Sequence, residues 1–297
     1  MRGFLLAAVM FGAVSGAQAA DMPDFLRGSI SAPAPTLNRN WDGWYVGGQV
    51  GYTSADIDLS HGPKSLTNFM LRNSVLQAPV SDWELLSKNH AQAAGFGAFV
   101  GRNYQWDDLV FGVEANYNYM NNLASSSTNS MSRLIVNPAG ENPPPGHTHT
   151  YATTLSGSAA LQIKDVVTFR GRAGWATGSF LPYVFGGLAV GRVDPSRTAT
   201  LSYDKYDDYD VTTITVVGGL PVSTTVHHTD YLGSSTTAQS ERRPNSFVAG
   251  WTGGLGLEYC LWGNVFVRAE WEYIKFLKVK DMTFNTNTAR LGVGYKF

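Results

Sequence analysis

Charge is scarce in this chain. Of 297 residues only 15% are Asp, Glu, Lys or Arg, against roughly 25% in an average soluble domain. Cys260 is the one cysteine, so no intrachain disulfide can staple the fold. Beyond the N-terminal segment no run approaches 18 apolar residues, which excludes a membrane-crossing helix. The net charge is −1, or −2 once Arg2 is removed, and this leaves no basic excess for nucleic acid. Neither G-x-S-x-G nor H-E-x-x-H occurs, and no other spacing points to catalysis, so the reading is non-enzymatic. What the chain does have is aromatic residues (12%) and 32 glycines.

The first 19 residues, "MRGFLLAAVMFGAVSGAQA", combine Arg2, an apolar run from Phe4 to Val14 and the small-x-small site Ala17-Gln18-Ala19. That is the pattern of a secretory signal, and the run is too short to span a bilayer as a helix. An exported chain without a spanning helix can live in a membrane only as a closed β-barrel, because lipid leaves no partner for open backbone groups. Residues 20–42, with Pro23, Pro33 and Pro35, read as a periplasmic leader, and 43–297 as the barrel.

A period of two runs through eight segments, near 43–53, 92–104, 109–120, 164–176, 181–193, 246–259, 264–276 and 287–297. Each reaches the 9–11 residues or so of a tilted transmembrane strand. In "LVFGVEANYNY" Leu109, Phe111, Val113, Ala115, Tyr117 and Tyr119 share one face, opposite Glu114 and Asn116. In "VTFRGRAGW" Val167, Phe169 and Trp175 oppose Arg170 and Arg172; in "WTGGLGLEY" Trp251, Leu255, Leu257 and Tyr259 oppose Glu258. In "VFVRAEWEY" Val265, Val267 and Trp271 oppose Arg268, Glu270 and Glu272, and in "ARLGVGYKF" Leu291, Val293, Tyr295 and Phe297 oppose Arg290. For "GFGAFVGRNY" the apolar face is Phe96, Ala98 and Val100, which obliges Arg102 on that face to snorkel. "PYVFGGLAVG" is apolar or glycine on both faces and leaves the choice open.

The connections alternate in length: long at 54–91, 121–163 and 194–245, short at 105–108, 177–180 and 260–263, medium at 277–286. An even strand number with alternating short turns and long loops is the plan of an outer-membrane barrel, with both termini periplasmic and the long loops extracellular. The aromatic residues at strand ends, such as Trp44, Tyr52, Trp251 and Tyr259, suit the two bilayer interfaces. Within the 194–245 loop, the β-branched runs flanking Gly218-Gly219 predict a hairpin. The 121–163 loop, rich in Ser and Asn and then in Pro at 143–145, reads as mobile and exposed.

"NWDGWYVGGQVGYT" (40–53) resembles the opening strand of the alphaproteobacterial outer-membrane immunogenic proteins, small porin-like barrels beginning W-x-G-x-Y-x-G-x-x-x-G-Y. "FGVEANY" (111–117), "TFRGRAGWATGSFLPYVFGGLAVG" (168–191), "AGWTGGLGLEY" (249–259), "NVFVRAEWEYI" (264–274) and "RLGVGYKF" are similar to that family's other strands, in order. The resemblance implies an eight-stranded antiparallel barrel of OmpA type. It also implies that the last strand, Leu291, Val293, Tyr295 and Phe297, is the signal read by the barrel-insertion machinery. Family members are described as surface antigens, some as porins and some as haemin binders.

The interior of an eight-stranded barrel is just wide enough for side chains to fill it. Its expected charges are Glu114, Glu258, Glu270 and Glu272 against Arg170, Arg172, Arg268 and Arg290, four of each sign, and mutual pairing is the expectation. Inward glycines (Gly112, Gly174, Gly254, Gly256, Gly292, Gly294) would be the room an ion path needs. His147-Thr148-His149 and His227-His228 could ligate a soft divalent ion or haem iron, but no third ligand stands at fixed spacing. They read as exposed side chains, and "DKYDDYD" (204–210) as a solvated acidic loop, so no cofactor is expected. The function expected is an envelope-structural, surface-displayed barrel in contact with outer-membrane lipid and lipopolysaccharide, its loops open to a host or phage ligand. The alternative is a narrow porin for small solutes.

Overall fold

Each of the eight alternating segments becomes a strand, and most run well past the expected ends. The computed structural model describes residues 39–297; the expected signal at 1–19 and nearly all of the 20–42 leader lie outside them. The elements are β1 Gly43–Asp58, α1 Lys64–Met70, α2 Gln77–Ser81, β2 Lys88–Trp106, β3 Leu109–Val136, β4 His147–Trp175, β5 Phe180–Val217, β6 Leu220–Arg242, β7 Ser246–Trp262, β8 Val265–Phe276 and β9 Thr283–Lys296. Among the described residues no helix is long and apolar enough to cross a membrane.

The wall closes in the order β1-β2-β3-β4-β5-β7-β8-β9, with β9 pairing back onto β1 from Tyr45↔Lys296 to Asp58↔Thr283. All pairings are antiparallel. Closure gives every stave two neighbours, so the barrel itself has no open edge. The segment β6 is not a ninth stave. It pairs with β5 from Ser196↔Arg242 onward, beyond Val193↔Ser246 where β7 stops. Gly218 and Gly219, both at positive φ (62° and 86°), make the two-residue turn between β5 and β6. That is the geometry a tight hairpin demands, and the hairpin expected around these glycines is present.

Alternation sets the faces. Phe96 and Val100 point outward, and so does Arg102, whose guanidinium lies over the Trp44 and Tyr104 rings. In β5, where the sequence left the choice open, Leu181, Tyr183 and Phe185 turn inward, while Val184, Leu188 and Val190 are exposed. The outer surface is an apolar belt edged by Trp44, Tyr104, Trp106, Trp175, Phe180, Trp262, Tyr295 and Phe297 on the side of the short turns.

Three expectations need correction. The 121–163 and 194–245 stretches are mostly strand: β3 and β4 pair from Leu123↔Ile163 to Val136↔Thr150, leaving 137–146 as the tip. Their Ser and Thr side chains hydrogen-bond across the ladder (Ser130 to Ser156 at 2.9 Å, Ser132 to Thr154 at 2.7 Å), an interaction that stabilises strands without any apolar contrast. "DKYDDYD" belongs to β5, not to a loop. Cys260 lies within β7, buried, rather than in the turn after it.

The segment between β1 and β2 holds the two short helices. Leu71, Leu76, Val80, Leu85 and Leu86 join one buried cluster with Ile57, Leu155, Leu161, Ile163, Leu201, Ile274, Phe276 and Phe284 from the walls. Arg197, buried on β5, clamps this segment: it donates to Gly62 O (3.0 Å), Lys280 O (3.1 Å) and Asp281 Oδ2 (3.0 Å), and pairs with Glu241 at 2.7 Å.

Candidate functional site: a charged layer across the barrel

All eight charges expected inside the barrel face its interior and are buried. Each is placed by the period of two on a different part of the wall: Glu114 on β3, Arg170 and Arg172 on β4, Glu258 on β7, Arg268, Glu270 and Glu272 on β8, Arg290 on β9. Three opposite-sign pairs are direct neighbours in the ladder, Glu114↔Arg170, Glu258↔Arg268 and Glu270↔Arg290.

The interactions that matter most cross the lumen. In the closed order β3 and β8 stand opposite one another, four strands apart either way round. Arg268 Nη2 nevertheless reaches Glu114 Oε2 at 2.8 Å and Glu258 Oε1 at 2.8 Å, with side chains essentially fully buried. Arg170 Nη2 bridges Glu114 Oε1 (2.5 Å) and Glu270 Oε1 (2.6 Å), joining β4 to both β3 and β8. Arg172 Nη1 donates to Glu258 Oε1 at 2.8 Å, and Arg290 Nη2 lies 2.8 Å from Glu272 Oε2. Four carboxylates and four guanidiniums thus form one continuous net with no excess of either sign. Burying any one alone would cost several kcal/mol.

Sequence reasoning missed the aromatic residues that frame this net. Tyr45 donates to Glu114 Oε2 at 2.7 Å and Tyr183 to Glu270 Oε1 at 2.5 Å. Phe185, Tyr183 and Phe99 lie under Arg170, Arg172 and Arg268, with each guanidinium carbon 3.6–3.9 Å from the ring centroid. Such stacking is worth about 2 kcal/mol or more where the cation is desolvated.

The available signal was the glycine pattern. A Cβ on Gly256 would meet the Tyr183 ring at 2.4 Å, one on Gly294 the Phe266 ring at 2.3 Å, and one on Gly292 the Arg268 stem at 3.0 Å. Those inward glycines make room for rings and arginine stems.

Above and below the net the interior is also filled. Toward the short turns lie Trp41, Tyr45, Phe99, Val110, Leu181 and Phe266. Toward the long hairpins come Gln49, hydrogen-bonded to Asn118 at 2.6 Å, and Thr53 against Thr288 at 2.9 Å. Beyond them stands the leucine-rich cluster that α1 and α2 complete. Among the described residues no group of three or more His, Cys, Asp or Glu side chains could hold a metal ion. His147 and His149 on β4, and His227 and His228 on β6, stand in strands outside the net.

Comparison with known proteins agrees with this architecture. The family described as "Outer membrane protein beta-barrel domain" matches residues 4–297. The 31 kDa outer-membrane immunogenic protein of Brucella melitensis is 26% identical over 313 residues, spanning 100% of each chain. The 25 kDa outer-membrane immunogenic protein of Brucella ovis is 24% identical over 201 residues, 68% of this chain and 62% of that one. Among solved structures, the N-terminal β-barrel domain of Pseudomonas aeruginosa OprF is similar at 12% identity and a TM-score of 0.33, over 84% of this chain and 97% of that one.

Proposed function

The chain belongs to the outer membrane protein β-barrel family, and on that premise we propose that it is a sealed barrel whose role is to hold a projecting surface structure in the outer membrane rather than to conduct solutes. The observation that carries this reading is the Arg268–Glu114 pair, 2.8 Å between opposite walls and shielded from solvent. An ion passing through would have to part it away from bulk water, leaving two buried charges without their partner. The leucine-rich cluster beyond it and the aromatic cluster before it would have to open as well.

In this reading the apolar belt faces lipid, with Trp44, Tyr104, Trp175 and Tyr295 at one interface as such girdles require. Both ends of the barrel chain then face the periplasm, and the long hairpins face outward, past lipopolysaccharide, toward a host or phage surface. The outward residues of the last strand, Leu291, Val293, Tyr295 and Phe297, are what the insertion machinery would read. No catalytic step is assigned to the barrel.

The test is conductance in a planar bilayer, with the refolded wild type beside Arg170→Ala/Arg172→Ala. The wild type is expected to be silent and the double variant to leak. Stable openings in the wild type would overturn the sealed reading in favour of a narrow porin.

A further inference from the structure

Residues 39–41 are tied to three places around the short-turn end of the barrel. Arg39 N donates to Gly178 O at 3.3 Å in the turn before β5, and Trp41 N donates to Gln105 Oε1 at 2.6 Å near the end of β2. Arg39 Nη1 donates to Gly263 O at 2.9 Å in the turn between β7 and β8. The Trp41 ring is buried and lies edge-on to Phe266, with centroids 6.3 Å apart. These residues, the β7–β8 turn and the end of β9 enclose a pocket of about 190 Å³, lined in part by Arg39, Trp41, Cys260, Phe266 and Lys296.

The chemistry of this pocket is one-sided. Arg39 and Lys296 both line it, and none of its lining residues is acidic. Besides the Arg39 contact with Gly263, Lys296 Nζ donates to Asn40 O. Each cation thus engages a carbonyl and keeps further N–H donors, and among the described residues neither forms an ion pair. Asp42, next along the chain, accepts from Gln105 N at 3.2 Å and is not part of the lining. Trp41 Nε1 is buried without an acceptor, and a buried donor left unpaired is costly. Two cations and an orphaned N–H share one cavity to which the described chain brings no carboxylate.

We propose that this pocket binds a phosphate group, held by Arg39, Lys296 and the Trp41 indole N–H, at the end that the proposed orientation turns to the periplasm. The charge matches, since a phosphate monoester carries about −1.5 to −2 at neutral pH. Arginine binds phosphate through its planar fork and lysine as a point charge. A tetrahedral group presents oxygens in several directions at once, which suits three donors from separate segments better than a planar carboxylate does. The volume is below the roughly 300 Å³ at which pockets begin to take whole drug-sized ligands, so the phosphate enters and whatever it esterifies stays outside. Its source is a soluble phosphate or the headgroup of a phospholipid at the adjacent rim, where Trp262 and Tyr295 are exposed. The site stands whether or not the barrel conducts.

The test is NMR of the refolded full chain, isotope-labelled at tryptophan, in a phosphate-free maltoside micelle, with Trp41→Phe assigning the Trp41 indole resonance. Inorganic phosphate should shift that resonance saturably, and acetate or chloride at equal ionic strength should not. Arg39→Gln/Lys296→Gln should raise the half-saturating concentration roughly tenfold or more. Arg102→Gln, on the outer wall near the same end, should leave it unchanged. Short-chain phosphatidylglycerol saturating the same shift at lower concentration than phosphate identifies a lipid headgroup, and no gain over phosphate identifies a soluble ligand; both support the site. The heat-dependent gel shift of a folded barrel checks that every variant is intact. No shift with phosphate or the lipid, an equal shift with acetate, undiminished affinity in the double variant, or loss of binding in the Arg102 variant would each overturn the proposal.

Discussion

The same wall has two opposite insides. Along the belt the interior is charged and the exterior apolar: Arg170 and Arg172 point in while Phe169 and Trp175 point out. Farther along β4 the interior is apolar, with Leu155, Ala159, Leu161 and Ile163 buried, and the exterior carries Thr154, Ser156 and Ser158. β4 makes the change at a register shift between Ile163 and Asp165, and β3 makes its own between Tyr119 and Leu123. A bulge adds an unpaired residue, and one residue is enough to exchange the two faces of a strand with period two. The lesson is that the solvent outside, not the fold, decides which face is apolar. On the proposed reading, lipid covers the belt, and there polar groups are pushed inward and must pair. On the same reading water covers the rest, and there the usual hydrophobic interior returns, completed by the α1–α2 segment.

The largest expected effect tests the charged side of that contrast. Arg268→Ala leaves Glu114 and Glu258 without their central partner, and the loss of one member of a buried pair typically costs about 3–5 kcal/mol. It should appear as a lower urea midpoint for the whole barrel. Next, an arginine on the outside distinguishes the two surroundings directly. Leu255→Arg, on the belt, should cost about 2–4 kcal/mol in a bilayer, whereas Ser156→Arg, on the projecting wall, should change stability by no more than about 0.5 kcal/mol. Equal costs at the two positions would erase the distinction between lipid-facing and water-facing wall.

A third substitution addresses the apolar interior. Leu76, fully buried between the helices and the wall, should lose about 2–3 kcal/mol of local stability as Leu76→Ala, within the range for buried leucine truncations. The effect should be confined to the outer part, as faster amide exchange over 59–87 with the gel shift of the barrel unaltered.

The smallest effect is one of pH. Burial pushes the Glu141 carboxyl up, but hydrogen bonds from Lys205, Tyr151 and His149 outweigh it and hold the pKa at about 2. Glu241 is also held at about 2, by Lys280 and Arg197, against the opposing effect of burial. Both values are depressed from 4.5, so the stabilisation these groups give is full above that pH. It is lost as pH falls toward 2. Amide-exchange protection factors at the 137–146 tip and around Glu241 at the base of the β5–β6 hairpin should therefore fall across that window, and Glu141→Gln should remove the part of the fall that belongs to the 137–146 tip.

The barrel was legible in the sequence because its signal is a contrast. Phe111 against Glu114, or Phe169 against Arg170, separates two faces by polarity, and period two does the rest. Gly218-Gly219 fixed its hairpin through a backbone requirement that few other residues meet. The projecting strands were not legible, since Ser125 to Ser132 and Thr153 to Ser158 give no such contrast, and their pairing rests on hydroxyl contacts that composition alone assigns to loops. In the charged layer the identities of the eight ionised residues could be read, but Tyr45, Tyr183, Phe99 and Phe185 could not be placed beside them. Their position depends on which inward glycines leave space, and that is a property of neighbouring strands in register.

The sequence by itself determined the number of staves, the face presented by every stave but β5 and the balance of charge within, because these depend only on alternation along one strand at a time. Partners depend on closure. That Arg268 meets Glu114, that the α1–α2 segment packs with the wall in one apolar cluster, and that Asp207 pairs with His147 were decided by the tertiary structure, since each joins segments whose distance is set by the circumference of the barrel or the register of a ladder.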